Sequence, residues 1–318
     1  MSPSRYQEAE IPTLYFIGVT TAKSSIMDVF PQWAHCLGLK DSTIKGFDFV
    51  PHDTPQNYRE AVSFIKSDPL TRGALVTTHK IDLLKACRDQ FDELDEYAEL
   101  MGEISSISKR DHRLVGHAKD PITSGLALEA FIPPHHWEQT GAEVFVLGAG
   151  GSAIAITWYL MKKEQGKNRP SRIHVANRSL PRLGEIKEIH GKLNSGVPVE
   201  YYHTPSPDLS DAILRRLNPG SMVINATGLG KDAPGSPLTD GALFPFNGLV
   251  WEFNYRGDLA FLKQARVQQK ERNLHVEDGW IYFIHGWTRV IAEVFHLDIP
   301  AKGPLLDELS RIAATVRK

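Results

Sequence analysis

One glycine-rich turn constrains this chain more than any other feature. It lies between an apolar run at residues 144–147 and an apolar segment that reaches residue 161, and it reads Gly148-Ala149-Gly150-Gly151-Ser152-Ala153. Residues 144–161 carry no charge and are long enough to be weighed as a membrane span. The three glycines argue against a span, because they divide the stretch into a β-type run and a helical run. The sequence therefore predicts a strand, a tight turn and a helix.

The turn fits the pattern G-x-G-x-x-A, which is informative when it joins a strand to a helix. In that setting the first glycine permits the tight turn, the second lets the backbone approach a pyrophosphate, and Ala153 permits close packing of helix on strand. The helix N-terminus adds N–H groups and a partial positive charge. A dinucleotide site is the functional interpretation, and a glycine turn without a ligand is the alternative.

The next predicted strand ends at Asn177-Arg178-Ser179, with Arg182 close by in the sequence. A site for NAD would carry an acidic residue there to bind the ribose hydroxyls. Arg178 instead offers a planar guanidinium suited to phosphate, and Ser179 adds a hydroxyl donor. We therefore expect NADP(H) as the favoured cofactor, with NAD(H) as the alternative. The other interpretation is that Arg178 is an ordinary solvated arginine on a loop.

Length and charge restrict the remaining classes. The chain has 318 residues, which suggests two domains, and 42% hydrophobic with 23% charged residues is the balance of a globular protein. A formal net charge of -2 gives no broad basic surface, so nucleic acid is not an expected partner. Two cysteines, Cys36 and Cys87, are too few for a disulfide framework, and we expect a reducing, cytoplasmic location.

The order of predicted elements indicates an α/β domain in the first part of the chain. Strands are predicted at residues 13–19, 44–50 and 73–77, with helices at 26–39, 57–66 and near 81–101. Parallel strands need a crossover, usually a helix, so this alternation predicts βα units. A proline-rich stretch at 131–140 without periodicity marks the expected domain boundary.

Beyond that boundary the pattern restarts as a doubly wound sheet. Strands are predicted at residues 144–147, 173–176, 199–202, 222–225 and 249–253, and helices at 152–161, 181–193 and 209–217. A last long helix over residues 280–295 carries an apolar stripe that includes Trp280, Trp287 and Val294.

Several segments between about residues 18 and 295 resemble motifs of the shikimate/quinate dehydrogenase family. Residues 73–80 look like a shortened N-V-T-x-P-x-K, residues 102–107 like G-A-x-N-T-x, and residues 116–120 like G-x-N-T-D. Further along, residues 177–179 resemble N-R-T, residues 224–227 resemble I-N-A-T, and residues 252–255 resemble D-x-x-Y with Glu for Asp. Residues 279–295 match the family's closing helix in outline.

The resemblance implies an α/β fold of two domains. Residues 1–130 and 279–318 would form the substrate-binding, catalytic domain, and residues 131–278 a Rossmann-like doubly wound NADP-binding domain. A C-terminal helix would return to the first domain. In the family a Lys and an Asp form the catalytic pair, at the positions matched here by Lys80 and Asp120.

The chemistry explains why such a pair is needed. When a secondary alcohol is oxidised, a proton must leave oxygen as hydride leaves carbon, and Lys80 could accept it. Burial would lower the pKa of Lys80, whereas the Asp120 carboxylate would raise it. Taken singly, Lys80 is more often a surface lysine and Asp120 a turn or cap residue; their joint placement in two family-like segments favours the catalytic interpretation.

The matched segments supply the other expected site residues. Substrate contacts are expected from Ser24, Thr77, Ser105, Tyr255 and His285. Cofactor contacts are expected, besides those of the glycine turn and the Asn177 to Arg182 segment, from Asn225, Thr227, Gly228 and Gly279. Ordinary alternatives are a packed Tyr255 and a hydrogen-bonded core His285. No metal is expected, because the pair His135-His136 lacks a third ligand at suitable spacing.

Several substrate-reading positions depart from the family. Of the serine pair that binds the substrate carboxylate in the family, Ser24 is kept and Ile26 takes the second place. Compensation by Ser25, or pairing of the anion with Lys23, is the alternative. The Asn-Thr pairs become Ser105-Ser106 and Ala118-Lys119, and the helix Gln falls on Gly286. Sites that recognise substrate hydroxyls by hydrogen bonds discriminate strongly between substrates, because a missing partner leaves a buried polar group unpaired. We therefore predict that the reaction type is retained and that shikimate is a poor substrate.

The sequence thus favours an NADP-dependent dehydrogenase or ketone reductase that acts on a small polyhydroxylated, cyclic molecule. The alternative is a non-catalytic NADP(H) or metabolite sensor that kept the fold; the retained Lys80 and Asp120 argue against it, and the substituted substrate positions argue for it. Another two-domain nicotinamide enzyme, such as a folate-linked or amino-acid dehydrogenase, is a third interpretation. We expect no membrane partner, and a monomer or homodimer.

Overall fold

A computed structural model describes residues 6–110, 113–162, 164, 166–193 and 195–317. The chain divides into two compact units, residues 1–119 with 284–318 and residues 120–283. The sequence places the boundary after residue 130 instead. The ten-residue helix that begins at Asp120 belongs with the second unit because it packs closely there: a side chain on Gly125 would overlap the ring of Tyr159.

Strands and helices alternate over most of the described chain. The strands are β1 Thr13–Gly18, β2 Thr43–Asp48, β3 Thr71–Val76, β4 Glu93–Leu94, β5 Ser106–Arg110, β6 Arg113–His117, β7 Val144–Leu147, β8 Ile173–Asn177, β9 Val199–His203, β10 Met222–Asn225, β11 Leu249–Glu252 and β12 His275–Glu277. The helices are α1 Ile26–Cys36, α2 Pro55–Ser67, α3 Lys80–Cys87, α4 Glu96–Met101, α5 Asp120–Glu129, α6 His136–Thr140, α7 Gly151–Met161, α8 Leu180–Leu193, α9 Pro207–Leu214, α10 Ala260–Gln268, α11 Trp280–Phe295 and α12 Pro304–Thr315.

The first unit is built on a six-stranded sheet in the order β2-β1-β3-β5-β6-β4. Strand β1 pairs in parallel with β2 and β3, as expected for strands joined by helices α1 and α2. Strand β5 pairs with β3 in the antiparallel direction and forms an antiparallel hairpin with β6. All six residues of β1 are buried, which explains its continuous apolar character.

One predicted helix of this unit is wrong. The sequence suggests a single helix near residues 81–101, but α3 ends at Cys87, and β4 lies between it and α4. Asp92 accepts a 2.7 Å hydrogen bond from the Leu114 amide, and Asp95 caps α4 by accepting one of 2.8 Å from the Ala98 amide. Strand pairing and capping therefore override the helical spacing of the apolar residues.

The second unit confirms the predicted doubly wound sheet. Its six strands lie in the order β12-β11-β10-β7-β8-β9, and every pairing is parallel. All residues of β7, β10 and β11 are buried. Because both faces of such a sheet are covered by helices, its strands read as short apolar runs instead of alternating ones.

The end of the chain completes the first unit. From Ile284 onwards, α11 groups with residues 1–119, and α12 follows it. The ring of Trp287 packs edge-on against Phe16 of β1, with centroids 5.1 Å apart. The indole of Trp33 on α1 donates a 2.7 Å hydrogen bond to the Leu309 carbonyl on α12. The predicted bounds of the last long helix, residues 280–295, are confirmed.

None of the helices in the described part of the chain combines the length and apolar character needed to cross a bilayer. The uncharged stretch around the glycine turn is a buried strand followed by the eleven-residue helix α7.

Candidate functional site

The glycine turn lies at the point where the strand order of the second unit reverses. From the central strand β7 the chain winds outward through β8 and β9 on one side, then through β10, β11 and β12 on the other. Ligands of such sheets bind outside the carboxyl ends of the strands at this switch point. The turn that follows β7 therefore stands where a nucleotide would bind.

Gly148 and Gly150, the two glycines of the G-x-G pattern, are suited to their positions for different reasons. Gly148 has φ +120, and a Cβ there would lie 2.8 Å from the Ala226 carbonyl oxygen. Gly150 caps α7 with an ordinary φ of −88, and a Cβ there would meet nothing within 4 Å. Gly148 is thus required by the protein's own packing, whereas Gly150 leaves its backbone open to an approaching ligand.

Helix α7 presents its N-terminus at this turn. Its first turn has no acidic residue, and Ala153 is fully buried, as the close helix packing requires. The first N–H groups of an α-helix have no partners within the helix and carry a partial positive charge. These residues fit a pyrophosphate.

Arg178 and Arg182, the two arginines predicted to bind the cofactor after β8, differ in their contacts. Arg178 is exposed, and no acidic side chain among the described residues forms an ion pair with it. Nε2 of His203 donates to the Arg178 carbonyl oxygen at 3.1 Å, which fixes the backbone there. Arg182, by contrast, is paired with Glu185 at 2.7 Å. Arg178 is the better-placed partner for a 2′-phosphate.

A buried hydrogen-bond network supports the segment after β10. Glu252, with no exposed surface, accepts hydrogen bonds from the Asn225 side chain at 2.7 Å and from the amide and side chain of Asn254 at 2.8 and 2.7 Å. The carbonyl of Asn225's side chain accepts from both the amide and hydroxyl of Thr227. Burial raises the pKa of Glu252 to about 7, against these donors, which favour the carboxylate. The sequence motifs include these residues but do not reveal the network.

Other predicted residues of the second unit have clear packing roles. A Cβ on Gly279 would lie 2.0 Å from the Phe253 carbonyl oxygen, so the glycine permits contact between two backbone segments. The Tyr255 ring packs against the rings of Trp280 and Phe283, with centroids 5.6 and 4.7 Å away. Gly228 turns the chain, its carbonyl accepting from the Asp232 amide at 2.8 Å. Tyr255 is only half-buried, so its packing leaves part of the ring accessible.

In the first unit, the turn after β3 carries Thr77, His79 and Lys80. The hydroxyl of Thr77 donates to the Ile17 carbonyl at 3.2 Å, which ties this turn to the end of β1. Nδ1 of His79 and the Tyr58 hydroxyl share a hydrogen bond of 2.9 Å. His79 is buried, and burial lowers its pKa. Lys80 is half-buried and begins α3.

The turn after β1 holds the retained serine. Thr21 anchors it, because its amide and hydroxyl donate to Oδ1 of Asp48 at 2.9 and 2.6 Å. Ser24 is 3% exposed and Ile26, the first residue of α1, is fully buried. Ile26 has no hydroxyl to offer where the family has its second serine, so an anion here would have fewer donors.

The family's two Asn-Thr pairs are replaced by a structural cluster. The hydroxyl oxygen of Ser105 accepts a 2.8 Å hydrogen bond from the Lys119 amide, and the Lys119 ammonium pairs with Glu293 at 2.8 Å. Arg110 also pairs with Glu293, at 2.7 Å. Lys119 is therefore engaged with α11, and its substitution for threonine is accounted for by packing. No local sequence pattern predicts this cluster.

Helix α11 has a small residue where the family has its glutamine. A Cβ on Gly286 would meet nothing within 4 Å, so the position borders open space. His285 beside it is 3% exposed, and burial, followed by the charge of Arg289, lowers its pKa to about 4. The imidazole is therefore neutral at pH 7, and its buried Nδ1 has no hydrogen-bond partner among the described residues.

Asp120 begins α5 and is 8% exposed. It belongs to the second unit, whereas Lys80 belongs to the first. The pairing of these two residues stays a prediction. No group of three or more potential metal ligands occurs among the described residues, and His136 instead donates to the Gly220 carbonyl at 2.9 Å.

No protein-family profile matches the chain. Among curated proteins, the shikimate dehydrogenase (NADP(+)) of Lactococcus lactis subsp. cremoris is 29% identical over 191 residues. The alignment covers 59% of this chain and 61% of that enzyme, so the chain matches about three fifths of the relative's length.

Solved structures share the fold over nearly the whole chain. A shikimate dehydrogenase in complex with NADP+ has a TM-score of 0.72 at 21% identity, and the match covers 99% of both chains. The quinate dehydrogenase of Corynebacterium glutamicum in complex with NAD has a TM-score of 0.70 at 17% identity, with 96% of this chain and 99% of that one covered. At these identities the likeness establishes the fold.

Two α/β units, the second with the strand order of a nucleotide-binding sheet, define a two-domain protein of the Rossmann type. In sequence and fold together, the chain is similar to shikimate dehydrogenases, at low identity.

Proposed function

We propose that the protein is an NADP-dependent oxidoreductase that transfers hydride reversibly between NADP(H) and a secondary alcohol or ketone. The observation that carries the proposal is the glycine turn at the switch point of the parallel sheet, where Gly150 leaves the backbone open and α7 presents its N-terminus. The curated relative and the solved structure in complex with NADP+ support the same cofactor.

NADP(H), when bound, would accept or supply the hydride. The backbone from Gly148 to Ala153 would hold its pyrophosphate, and Arg178 with Ser179 and Asn177 its 2′-phosphate. Thr227, which Asn225 and Glu252 hold in place, would line the segment after β10. The exposed Arg178 favours NADP(H) over NAD(H), which stays the alternative.

We place the proton transfer on Lys80, with Asp120 as its partner. In alcohol oxidation neutral Lys80 would take the hydroxyl proton, and in ketone reduction its ammonium would return it to the carbonyl oxygen. Its half-buried position at the start of α3 is compatible with this role, because partial burial reduces competition from water. The first unit would thus be the substrate-binding domain.

We propose a small polyhydroxylated, cyclic substrate that is shikimate- or cyclitol-like but not shikimate itself. Ser24, Thr77 and Ser105 would supply polar contacts, together with Tyr255 and His285. The buried Ile26 and the open position at Gly286 each remove a polar group that the family uses. A molecule lacking the corresponding polar groups, or bulkier near Gly286, fits these changes better than shikimate.

The test is to mix purified protein and NADP with shikimate, quinate and a set of cyclitols and sugar acids, and to follow nicotinamide absorbance. Dehydroshikimate with NADPH tests the reverse direction. Turnover on any compound that is lost in Lys80→Ala would support the proposal. Shikimate rates equal to those of the curated relative would contradict the substrate assignment.

A second candidate is a non-catalytic NADP(H) or metabolite sensor, which the loss of the substrate readers at Ile26 and Gly286 favours. NADP binding without turnover on the whole set of compounds, in both directions, would support it.

The proposed oxidoreductase would be a cytoplasmic protein, since neither described cysteine is in a disulfide, and a monomer or homodimer.

A further inference from the structure

A buried carboxyl group lies in the segment next to Lys80 and has no counterpart in the family motif. Glu103 is 1% exposed and occupies the alanine position of the G-A-x-N-T pattern. The amide of the next residue, Ile104, donates a 3.3 Å hydrogen bond to the Lys80 carbonyl. The Glu103 backbone is therefore adjacent to the start of α3.

Backbone pairing holds this segment firmly against the end of β3. The Ser105 carbonyl accepts from the Val76 amide, and the Ser105 amide donates to the His117 carbonyl, each at 2.9 Å. Residues 103–105 consequently run between the β3 end that leads to Lys80 and the β6 end that leads to Asp120. Glu103 is fixed in this position by bonds on its C-terminal side.

A carboxylate removed from water requires either a positive partner or a proton. Other basic side chains of the neighbouring elements are engaged elsewhere: Arg88 pairs with Glu99, and Lys119 pairs with Glu293. Lys85, on α3, is exposed. Lys80 is the half-buried base whose own backbone contacts the Glu103 segment.

We propose that Glu103 is a positioning residue whose negative charge keeps Lys80 in its ammonium form. The inference rests on the proposed role of Lys80 in proton transfer. In ketone reduction, the charged Lys80 would give its proton to the carbonyl oxygen as hydride adds to carbon. Alcohol oxidation needs neutral Lys80, so Glu103 would favour reduction near neutral pH and delay oxidation to higher pH.

Other titratable groups on the surrounding elements must be distinguished from Glu103. They are His79 before α3, Asp82 on α3, His117 at the end of β6, Lys119 after it, and Asp120, which follows Lys119 in the chain. Asp82 is paired with His52 at 2.9 Å, and His79 is bonded to Tyr58. Asp120 is the group whose contribution needs its own variant.

The experiment measures the charge of Lys80 without requiring a substrate. Lysines of the full-length protein are reductively methylated with a carbon-13 label, the Lys80 resonance is assigned from its loss in Lys80→Arg, and its pH midpoint is read by NMR. We expect the midpoint to fall by about one pH unit in Glu103→Gln. Glu103→Asp, which keeps the carboxylate, should restore most of it.

The control is Glu99→Gln, an acid on the nearby helix α4 that pairs with Arg88 and should leave the Lys80 midpoint unchanged. An unchanged midpoint in Glu103→Gln, or a shift in Asp120→Asn alone, would overturn the inference. Should Glu103→Gln fail to fold, the wild-type value decides, because a Lys80 midpoint below about pH 8 contradicts an ammonium held by Glu103.

The same measurement separates this inference from the proposed function. A shifted midpoint in Glu103→Gln with full turnover in Lys80→Ala would leave the Glu103 to Lys80 relation intact and remove Lys80 from catalysis. Loss of turnover in Lys80→Ala with no midpoint shift in Glu103→Gln would support the role of Lys80 in catalysis and refute its relation to Glu103. If both hold, the pH profile of alcohol oxidation in Glu103→Gln should move to lower pH with the midpoint.

Discussion

The side-chain amide of Asn225 donates a 2.7 Å hydrogen bond to Oε2 of Glu252, a carboxyl group without exposed surface at the end of β11. The other oxygen of Glu252 accepts from the amide and side chain of Asn254. Both asparagines also bond to Thr227, by the Asn225 side-chain oxygen and the Asn254 side-chain amide. One buried acid thus organises two segments of the proposed cofactor site.

This carboxyl group makes the stability of the fold depend on pH. Burial raises the pKa of Glu252 from 4.5 to about 7, so the folded state binds its proton more tightly than the unfolded state. The resulting stabilisation is complete below about pH 4.5 and is lost as the pH rises through 7. The shift corresponds to about 3 kcal/mol.

We therefore expect the unfolding free energy, from urea titrations at about pH 5 and about pH 8, to decrease with pH more in the wild type than in Glu252→Gln. Buried histidines such as His190, whose pKa burial lowers to about 4, change stability in the opposite sense in both proteins. The difference between the two pH profiles is therefore the result to examine. Parallel profiles would contradict the prediction, and the exposed Glu271→Gln should follow the wild type.

Arg178 should determine the preference for NADP(H). Arg178→Ala should weaken NADP binding by roughly 10- to 100-fold, since a charge-assisted hydrogen bond to phosphate is lost, and should leave NAD binding nearly unchanged. Isothermal titration calorimetry with both cofactors measures this. Arg182→Ala is the matched control, because Arg182 already pairs with Glu185 and should matter less. An equal loss of affinity for both cofactors would refute a phosphate-specific role.

Gly148 and Gly150 should respond differently to an added methyl group. Gly148→Ala meets a left-handed backbone and the Ala226 carbonyl, and should lower the unfolding free energy by about 1–3 kcal/mol. Gly150→Ala meets open space and should change it by less than about 0.5 kcal/mol, yet weaken NADP binding about tenfold or more. Urea unfolding and calorimetry test both. Wild-type affinity in Gly150→Ala would mean that no pyrophosphate approaches this backbone.

Two substitutions of Gly286 should distinguish an effect on helix stability from an effect on substrate recognition. Gly286→Ala should raise the unfolding free energy by about 0.5–1 kcal/mol, because glycine is unfavourable inside a helix, and should not improve shikimate turnover. Gly286→Gln adds the amide that the family has at this position and should raise kcat/KM for shikimate about tenfold over the alanine variant. Equal kcat/KM values in the two variants would show that the position does not read substrate hydroxyls.

Local sequence was sufficient where burial follows from a short apolar run. The bounds of β7, β10 and α11 are confirmed to the residue, because their apolar spacing alone identifies them. The hairpin β5–β6 was missed, since its strands mix polar and apolar residues and are defined by their pairing. The predicted helix near residues 81–101 failed for the same reason: the Asp92 contact to Leu114 cannot be read from neighbouring residues.

Site residues that are tied to a motif were predictable, and those that depend on distant partners were not. The glycine turn and Arg178 were identified from sequence because a nucleotide site needs residues of those types at fixed spacing. Lys119 and Glu293 form an ion pair across 174 positions, and no local pattern reveals it. In the sequence Glu252 is only a substitution for the Asp of a D-x-x-Y motif, because its burial depends on packing within the sheet.

The division of the chain also determines the order in which its parts can fold during synthesis. The second unit is one continuous stretch, residues 120–283, whereas the first unit requires residues 284–318. Trp33 finds its carbonyl partner only when Leu309 has emerged, 276 positions later. Because domains fold as units while the ribosome is still translating, the second unit can complete its core before the first unit has all of its segments. The part of the chain made first is completed last, and it would be the part exposed to chaperones for the longest time.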